Sequence, residues 1–452
     1  MAQIRSMTDP IDFMLTFTGA DLPADVRAQT HLALLDSIGI AAAGRRTELS
    51  RIIYAMTQEE YAGTLPLPFT QTTDHRVTAA GYALALGMTT DAVDGHDGFN
   101  LAKGHIGAPL YPALLAAAQD ATLCPDMPSG SDFITALALG YEFGARCSIA
   151  QHATTCDFHT SGSWGAVTAA AAICRLANLS PQITRHALGI AEYHGPRSQM
   201  MRVIDHPTML KDGAGWGSMT GVLSVKLALK GFTGAPAITV EDAPDYWADL
   251  GSRWYGREQY YKPYPVCRWA QPPIEAALEA QRHLGLDHKH ITKIEIETFH
   301  ESLRLATVTP QLSDEAQYST AFPVALALIH GTVGPQHIAD HAVQDPIAQA
   351  LAQKIVIRES DHANAAFPAR RLARVTLHTD NGHHVTSAWQ EPRWDHTNPP
   401  SAAELRQKFD DIATASIGSK SAKHIETAID AIELGGLPPL YQALSCDPLP
   451  FA

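Results

Sequence analysis

The sequence predicts a mainly α protein: a large all-helical domain into which a smaller α+β unit is inserted. Three observations carry that reading. Helix-like apolar periodicity runs from about residue 8 to residue 255. After about residue 285 the period shortens to that of a strand, and from Ser401 the helical pattern returns. The helical domain is therefore expected on residues 1–260 and 399–452, and the α+β unit on 261–398.

The elements follow in chain order. A first long helix runs from Leu22 to Gly44, with Pro23 near its start and glycine at its end. Further helices are expected at Thr78 to Met88, Tyr111 to Gln119, Ser131 to Ala150, Ser163 to Leu176 and Trp216 to Leu229. The alanine run Ala169 to Ala172 suits close helix–helix packing. Ile291 to Phe299 alternates like a half-buried strand, Ala321 to Gly331 is helical, and Lys354 to Arg358 is a short β-rich run. Arg374 to Trp389 predicts a hairpin turning at Asn381-Gly382. Ser401 and Glu404 have capping-box spacing and open the C-terminal helices.

Composition bounds the class. A chain of 452 residues with 45% hydrophobic and 18% charged residues suits a two-domain soluble enzyme with a large core. No run of about 18 apolar residues offers a membrane span. Met1 to Met7 lacks an apolar signal run, which points to the cytoplasm. A net charge of −14 argues against a nucleic-acid partner, yet a local basic pocket can still take an acidic substrate. The six cysteines are scattered without a C-x-x-C pair, so neither a zinc framework nor a disulfide scaffold is expected. Cys267 is singled out as a candidate reactive thiol because it stands beside cations in Lys262-Pro-Tyr-Pro-Val-Cys-Arg268.

The most informative segment is the loop from Asp91 to Pro109. It places Asp91, Asp94, Asp97, His96, His105 and Lys103 among four glycines, between two helical segments. A buried helix cannot hold that mixture without partners, and a plain solvated loop has no use for it. Acid/base groups on a rigid helix end are what proton transfer requires. Four further segments carry candidate chemistry. His159 precedes a Ser/Thr/Gly helix start, close to the positive end of a helix. Arg202 and Lys211 lie ahead of a glycine-bearing helix start. Lys262 and Arg268 sit in a proline-stiffened segment at the expected domain junction, where ligand pockets concentrate. Tyr318 opens the helix of the inserted unit, in Asp314-Glu-Ala-Gln-Tyr-Ser.

In order and spacing these segments resemble the MmgE/PrpD family, which includes 2-methylcitrate dehydratase, cis-aconitate decarboxylase and iminodisuccinate epimerase. The resemblance spans essentially the whole chain. It runs through Leu34-Leu-Asp-Ser-Ile-Gly-Ile-Ala, Gly104-His-Ile-Gly-Ala-Pro, Phe158-His-Thr-Ser-Gly, Leu210-Lys-Asp-Gly, Tyr261-Lys-Pro-Tyr-Pro and Ala316-Gln-Tyr-Ser. It implies that the α+β unit is a lid, that the protein is a homodimer, and that it acts on small di- and tricarboxylates without metal or organic cofactor. It also implies pocket residues at Asp91, His105, His159, Lys211 and Lys262. Two positions depart from the family pattern. Gly95 stands where a loop threonine is expected, in a loop about four residues longer, and Phe322 replaces a tyrosine, with Tyr318 one turn earlier.

The chemistry implied is proton transfer at a carbon α to a carboxylate. His105 and His159 are the expected base and acid, and Lys211 and Lys262 the holders of enediolate charge. Asp91 or Asp94 would orient a histidine. Asp94, His96, Arg202, Arg268 and Tyr318 are the expected substrate contacts. A lyase, either dehydratase or decarboxylase, is the leading expectation, with epimerisation of a polycarboxylate such as iminodisuccinate as the alternative. Two other classes stay open: a metal-dependent hydrolase using Asp91, Asp94, His96 and Asp97, and a non-catalytic dicarboxylate binder.

Overall fold

The structure, a computed structural model, describes residues 9–71, 76–285 and 287–450. Met1 to Met7, read above for the absence of a signal run, lies outside them. Ten helices matter for the site: α1 (Ala24–Gly44), α2 (Ala79–Asp91), α3 (Gly107–Gln119), α4 (Gly130–Thr154), α5 (Gly162–Leu176), α6 (Ala214–Leu229), α7 (Gln271–Leu284), α8 (Ser313–Gln317), α9 (Ala321–His330) and α10 (Ala402–Ile417). The fold is mainly α, as the sequence predicts. Every residue of α2 is buried, so the acidic loop that follows it begins inside the protein.

Four strands form the main sheet: β1 (Ile291–Thr298), β2 (Ile355–Glu359), β3 (Ala373–Thr379) and β4 (His384–Thr386), in spatial order β2-β1-β3-β4. β1 and β2 run parallel; the other pairs are antiparallel. Ile294 and Ile296 of β1 face Leu377 and Val375 of β3, and all four are buried. The predicted alternation of β1 breaks at Thr292 and Lys293, both exposed, where the register shifts between Ile291 and Lys293. The hairpin turns at Asn381-Gly382 as expected, with Gly382 at φ 81° and the Asn381 side chain accepting from His383 N at 3.1 Å.

The apolar residues form two main buried clusters. One gathers Ile11 to Tyr261 together with Leu405 to Cys446; the other gathers Tyr264 to Leu377 with Met200, Val203 and Ile204. Met200, Val203 and Ile204 thus pack with the α+β part, a contact that no local pattern predicts. Two further strand pairs escape the helical reading of the first 255 residues: Ala62–Pro66 with Arg76–Val77, and Gly98–Phe99 with Gln259–Tyr260. The second ladder ties the acidic loop to the segment that carries Lys262. The C-terminal part braces the loop from behind: Lys408 of α10 donates to the Gly95 carbonyl at 2.8 Å and pairs with Asp36 of α1 at 2.6 Å. The Ser401–Glu404 capping box that starts α10 is formed.

Candidate active site

His105 is the centre of the arrangement. It is 6% exposed and sits two residues before α3. Its backbone N–H donates to Ser161 Oγ at 2.9 Å, and Ser161 Oγ donates to Asp212 Oδ2 at 2.9 Å. The His105 Nδ1 lies 2.5 Å from the Asp97 carbonyl oxygen. A carbonyl only accepts, so Nδ1 carries the hydrogen and the neutral ring presents a lone pair at Nε2. That Nε2 is 3.4 Å from Asp212 Oδ2 and 3.6 Å from Asp94 Oδ1. The preceding glycine is required here, since a Cβ on Gly104 would come within 2.7 Å of Ser161 Oγ and of the Trp164 ring.

Lys262 stands next to this group. It is 1% exposed, and its Nζ donates to Asp94 Oδ1 at 2.5 Å and to the Asp94 carbonyl at 3.0 Å. Burial opposes its charge, but the attraction of Asp94 prevails and holds the ammonium above the ordinary lysine range. His105 is held below the ordinary histidine value by burial and then by Lys262. Burial raises Asp212 above the usual carboxyl range. The His105–Asp212 pair is thus driven toward its neutral forms: an imidazole facing a carboxylic acid that holds the proton. Asp94, Lys103 and Lys211 all have positive φ, at 43°, 54° and 49°, a strained conformation for non-glycine residues that clusters at functional sites.

A narrow cleft opens onto this group. Asp94, His105, Asp212, Lys262, Arg268 and Tyr318 line it, together with Lys103, Tyr260 and Arg371. Of the residues expected from sequence, Asp94, His105, Lys262, Arg268 and Tyr318 therefore meet in one place. Tyr318 and Phe322 both belong to the second apolar cluster, but only Tyr318, one turn earlier, also lines the cleft. A larger groove lies elsewhere, lined in part by Arg45, Arg51 and Gln336, and includes none of His105, Asp212 and Lys262.

The other expected residues lie differently. Asp91 is behind the cleft: its Oδ2 accepts from Ala214 N at 3.2 Å and so caps the positive end of α6. Burial, then Asp212, raises its pKa well above the carboxyl range. His96 is fully buried, with its ring 4.2 Å from that of His105 and its Nε2 3.6 Å from Asp91. It packs behind His105 instead of lining the cleft. Lys211 is committed to Asp314 Oδ1 at 2.6 Å and Gln317 Oε1 at 2.8 Å, tying its turn to α8. Its neighbour Asp212 faces the cleft in its place. Arg202 is exposed and does not line the cleft.

His159 sits beside the cleft, its backbone bridged to Gln199 next to the lining residue Met200. Its Nδ1 has no hydrogen-bond partner among the described residues and is 3.5 Å from Asp157 Oδ1. Cys267 lines the cleft, but burial and Asp94 push its thiol up to about 12, which rules out the resting thiolate that reactivity requires. Asp212, Ser161, Arg371 and Gln317 were not singled out from sequence. Asp212 left a faint signal: an acid just ahead of a glycine-bearing helix start.

One trio has metal-ligand spacing: atoms of Asp94, His96 and His105 lie within 4.8 Å of one another. This differs from the loop quartet considered from sequence, since Asp91 and Asp97 fall outside it. The donor set fits a divalent ion poorly. Lys262 already places a positive charge 2.5 Å from Asp94 Oδ1, and a second cation there would be repelled.

Comparison with known proteins places the chain in a family. Residues 11–247 match the MmgE/PrpD N-terminal domain and residues 264–434 the MmgE/PrpD C-terminal domain. The chain is 24% identical to the cis-aconitate decarboxylase-like protein oryM of Aspergillus oryzae, over 92% of both chains. It is also 24% identical to a cis-aconitate decarboxylase of Aspergillus terreus, over 94% of this chain and 93% of that one. With both family domains matched along nearly its whole length, this chain belongs to the MmgE/PrpD family.

Proposed function

We propose that this protein is a cofactor-independent lyase acting on a small di- or tricarboxylate, with proton transfer at a carbon α to a carboxylate. The observation that carries the reading is His105: its tautomer is fixed by the Asp97 carbonyl, and its Nε2 is open between Asp212 and the Lys262–Asp94 pair. A base needs a free lone pair at operating pH, and the lowered proton affinity of His105 keeps it free. A substrate carboxylate beside Lys262 would spread developing negative charge as an enediolate, stabilised by the ammonium in a dry site.

In dehydration, Nε2 takes the hydrogen from the α carbon and the C–H electron pair moves into the adjacent carboxylate. The enediolate then expels the neighbouring hydroxyl, which leaves as water on taking a proton from the Asp212 carboxyl. In decarboxylation, the C–C bond to one carboxylate breaks and carbon dioxide leaves. The electron pair is delocalised toward a remaining carboxylate, and carbon takes the proton held by the His105–Asp212 pair. Tyr318 offers a phenol to the same cleft, and His159 a second acid/base nitrogen beside it. The names of the relatives favour decarboxylation of cis-aconitate as the first reaction to test, ahead of epimerisation. The experiment is incubation with cis-aconitate and a panel of other di- and tricarboxylates, with products read by NMR. Consumption of none of them would reject the lyase reading.

The remaining parts of the reading are the cytoplasmic location, the lid on residues 261–398 and the homodimer. For the homodimer we point to α6, where Trp216, Leu223 and Leu227 lie exposed on one helix face. Among the described residues, no helix is long and apolar enough to cross a membrane.

A further inference from the structure

The chemistry above leaves three cations of the cleft without a task. Arg371 and Arg268 are 3% and 4% exposed, so both guanidinium groups are largely out of water. Among the described residues Arg371 makes no ion pair. Its Nη atoms donate only to the carbonyls of Pro368 and Asn100, at 3.3 and 3.4 Å, and its Nε–H finds no acceptor. Arg268 has Asp395 at 3.0 Å, yet its Nε–H also lacks an acceptor among the described residues. Lys103, strained at φ 54°, rests its ammonium 4.2 Å from the centre of the Phe158 ring and has no carboxylate partner among the described residues.

The three groups bear on one another. Burial, then the nearby charge of Arg371, lowers the proton affinity of Lys103; burial dominates at Arg268, where Arg371 adds to the lowering. A buried charge without a countercharge is costly, and so is a buried N–H without an acceptor. Keeping both in a cleft wall makes sense if an anion completes them. A carboxylate suits these donors because its two oxygens can take two N–H donors of a guanidinium at once.

We propose that Arg371, with the free Nε–H of Arg268 and the ammonium of Lys103, forms a second carboxylate subsite that selects acids bearing a carboxylate remote from the reacting carbon. This rests on the polycarboxylate reading and deepens it, because it makes Arg371 a specificity-determining residue. Lys262 then receives the carboxylate next to the reacting carbon, and Arg371 the distant one.

The test compares glutarate, a diacid, with butanoate, which lacks the second carboxylate. Ligand-observed NMR titration of the intact protein reads even millimolar dissociation constants. Wild type should prefer glutarate by about ten-fold or more, the scale of a charge-assisted contact. Arg371→Met should lose most of that preference while butanoate binding stays unchanged. Arg371→Lys keeps the charge without the planar fork and should fall between the two. Thermal melting checks the fold. If the methionine variant does not fold, the lysine variant decides, and a preference equal to wild type overturns the subsite. A folded Arg371→Met with full preference overturns it too, while leaving the polycarboxylate reading intact. No preference for glutarate in wild type overturns the subsite and the polycarboxylate reading together.

Discussion

The loops around His105 and His159 carry similar residues and are built to different degrees. His105 is held by its backbone N–H, its Nδ1 and a ring packed on His96, and its Nε2 meets two carboxyl groups. His159 is nearly as buried, at 8%, but its Nδ1 has no hydrogen-bond partner among the described residues. The difference teaches what a base requires beyond the right residue type. A lone pair must be aimed, kept unprotonated and backed by a proton store, and the His105 loop provides all three.

The strongest way to break the comparison is to remove each ring. His105→Ala should lower kcat by about 10³-fold, the middle of the range for a general acid/base group. His159→Ala should cost less, about 10²-fold, and should leave the acid limb of the pH–rate profile where it was. Steady-state kinetics on a polycarboxylate that wild type consumes checks both. An equal loss, or an acid limb that moves only in the His159 variant, would reverse the assignments. In wild type that limb should fall below the ordinary histidine value, because burial and Lys262 depress His105.

Lys262 sharpens the comparison from the other side of Asp94. Lys262→Ala should lower kcat/KM by about 10²-fold and also disturb His105, since Asp94 loses its partner. Lys262→Arg should rescue poorly, because the longer planar group cannot reproduce the short contact to Asp94. If only KM rises, Lys262 holds ground state and transition state alike and is not part of the proton-transfer machinery.

Two smaller effects probe what supports the His105 loop. Asp97 is buried, and burial raises its carboxyl to about 7. The folded state therefore favours the protonated form. Its stabilising contribution is complete below the unfolded value near 4 and is lost as pH rises through about 7. Asp97→Asn mimics the protonated group, so its Tm relative to wild type should rise between pH 4.5 and pH 8. A pH-independent difference would contradict the raised carboxyl. The smallest expected effect concerns assembly. Leu223→Arg with Leu227→Arg should yield monomer in sedimentation if α6 forms the dimer face, and wild type that sediments as monomer would remove that proposal.

Much of the fold was legible because its signals are local. Ser401 and Glu404 announce α10, Asn381-Gly382 announces the hairpin, and the long apolar runs give the helices within a few residues. The two-residue ladder joining Gly98–Phe99 to Gln259–Tyr260 was not legible, since so short a pair has no periodicity and its partners are far apart in sequence. The site divides in the same way. Asp94 and His105 stood out through the chemical density of their loop. Arg371 and Ser161 did not, because only folding brings them to the cleft or its support. Lys211 and Asp212 show the limit most plainly: they are adjacent, yet in the turn where Lys211 has φ 49° the lysine pairs with α8 and the aspartate faces the cleft.

The central claim is that His105 moves a proton at a carbon α to a carboxylate. It is tested most directly by turnover of cis-aconitate, or whichever polycarboxylate wild type consumes, in deuterated water. Deuteration of product and recovered substrate is read by NMR and mass spectrometry. The account predicts one deuterium in wild type, at the carbon protonated in a decarboxylation product or at the α carbon of recovered substrate in a dehydration, and a rate of incorporation reduced by about 10³-fold in folded His105→Ala. Incorporation at the wild-type rate in that variant would contradict it.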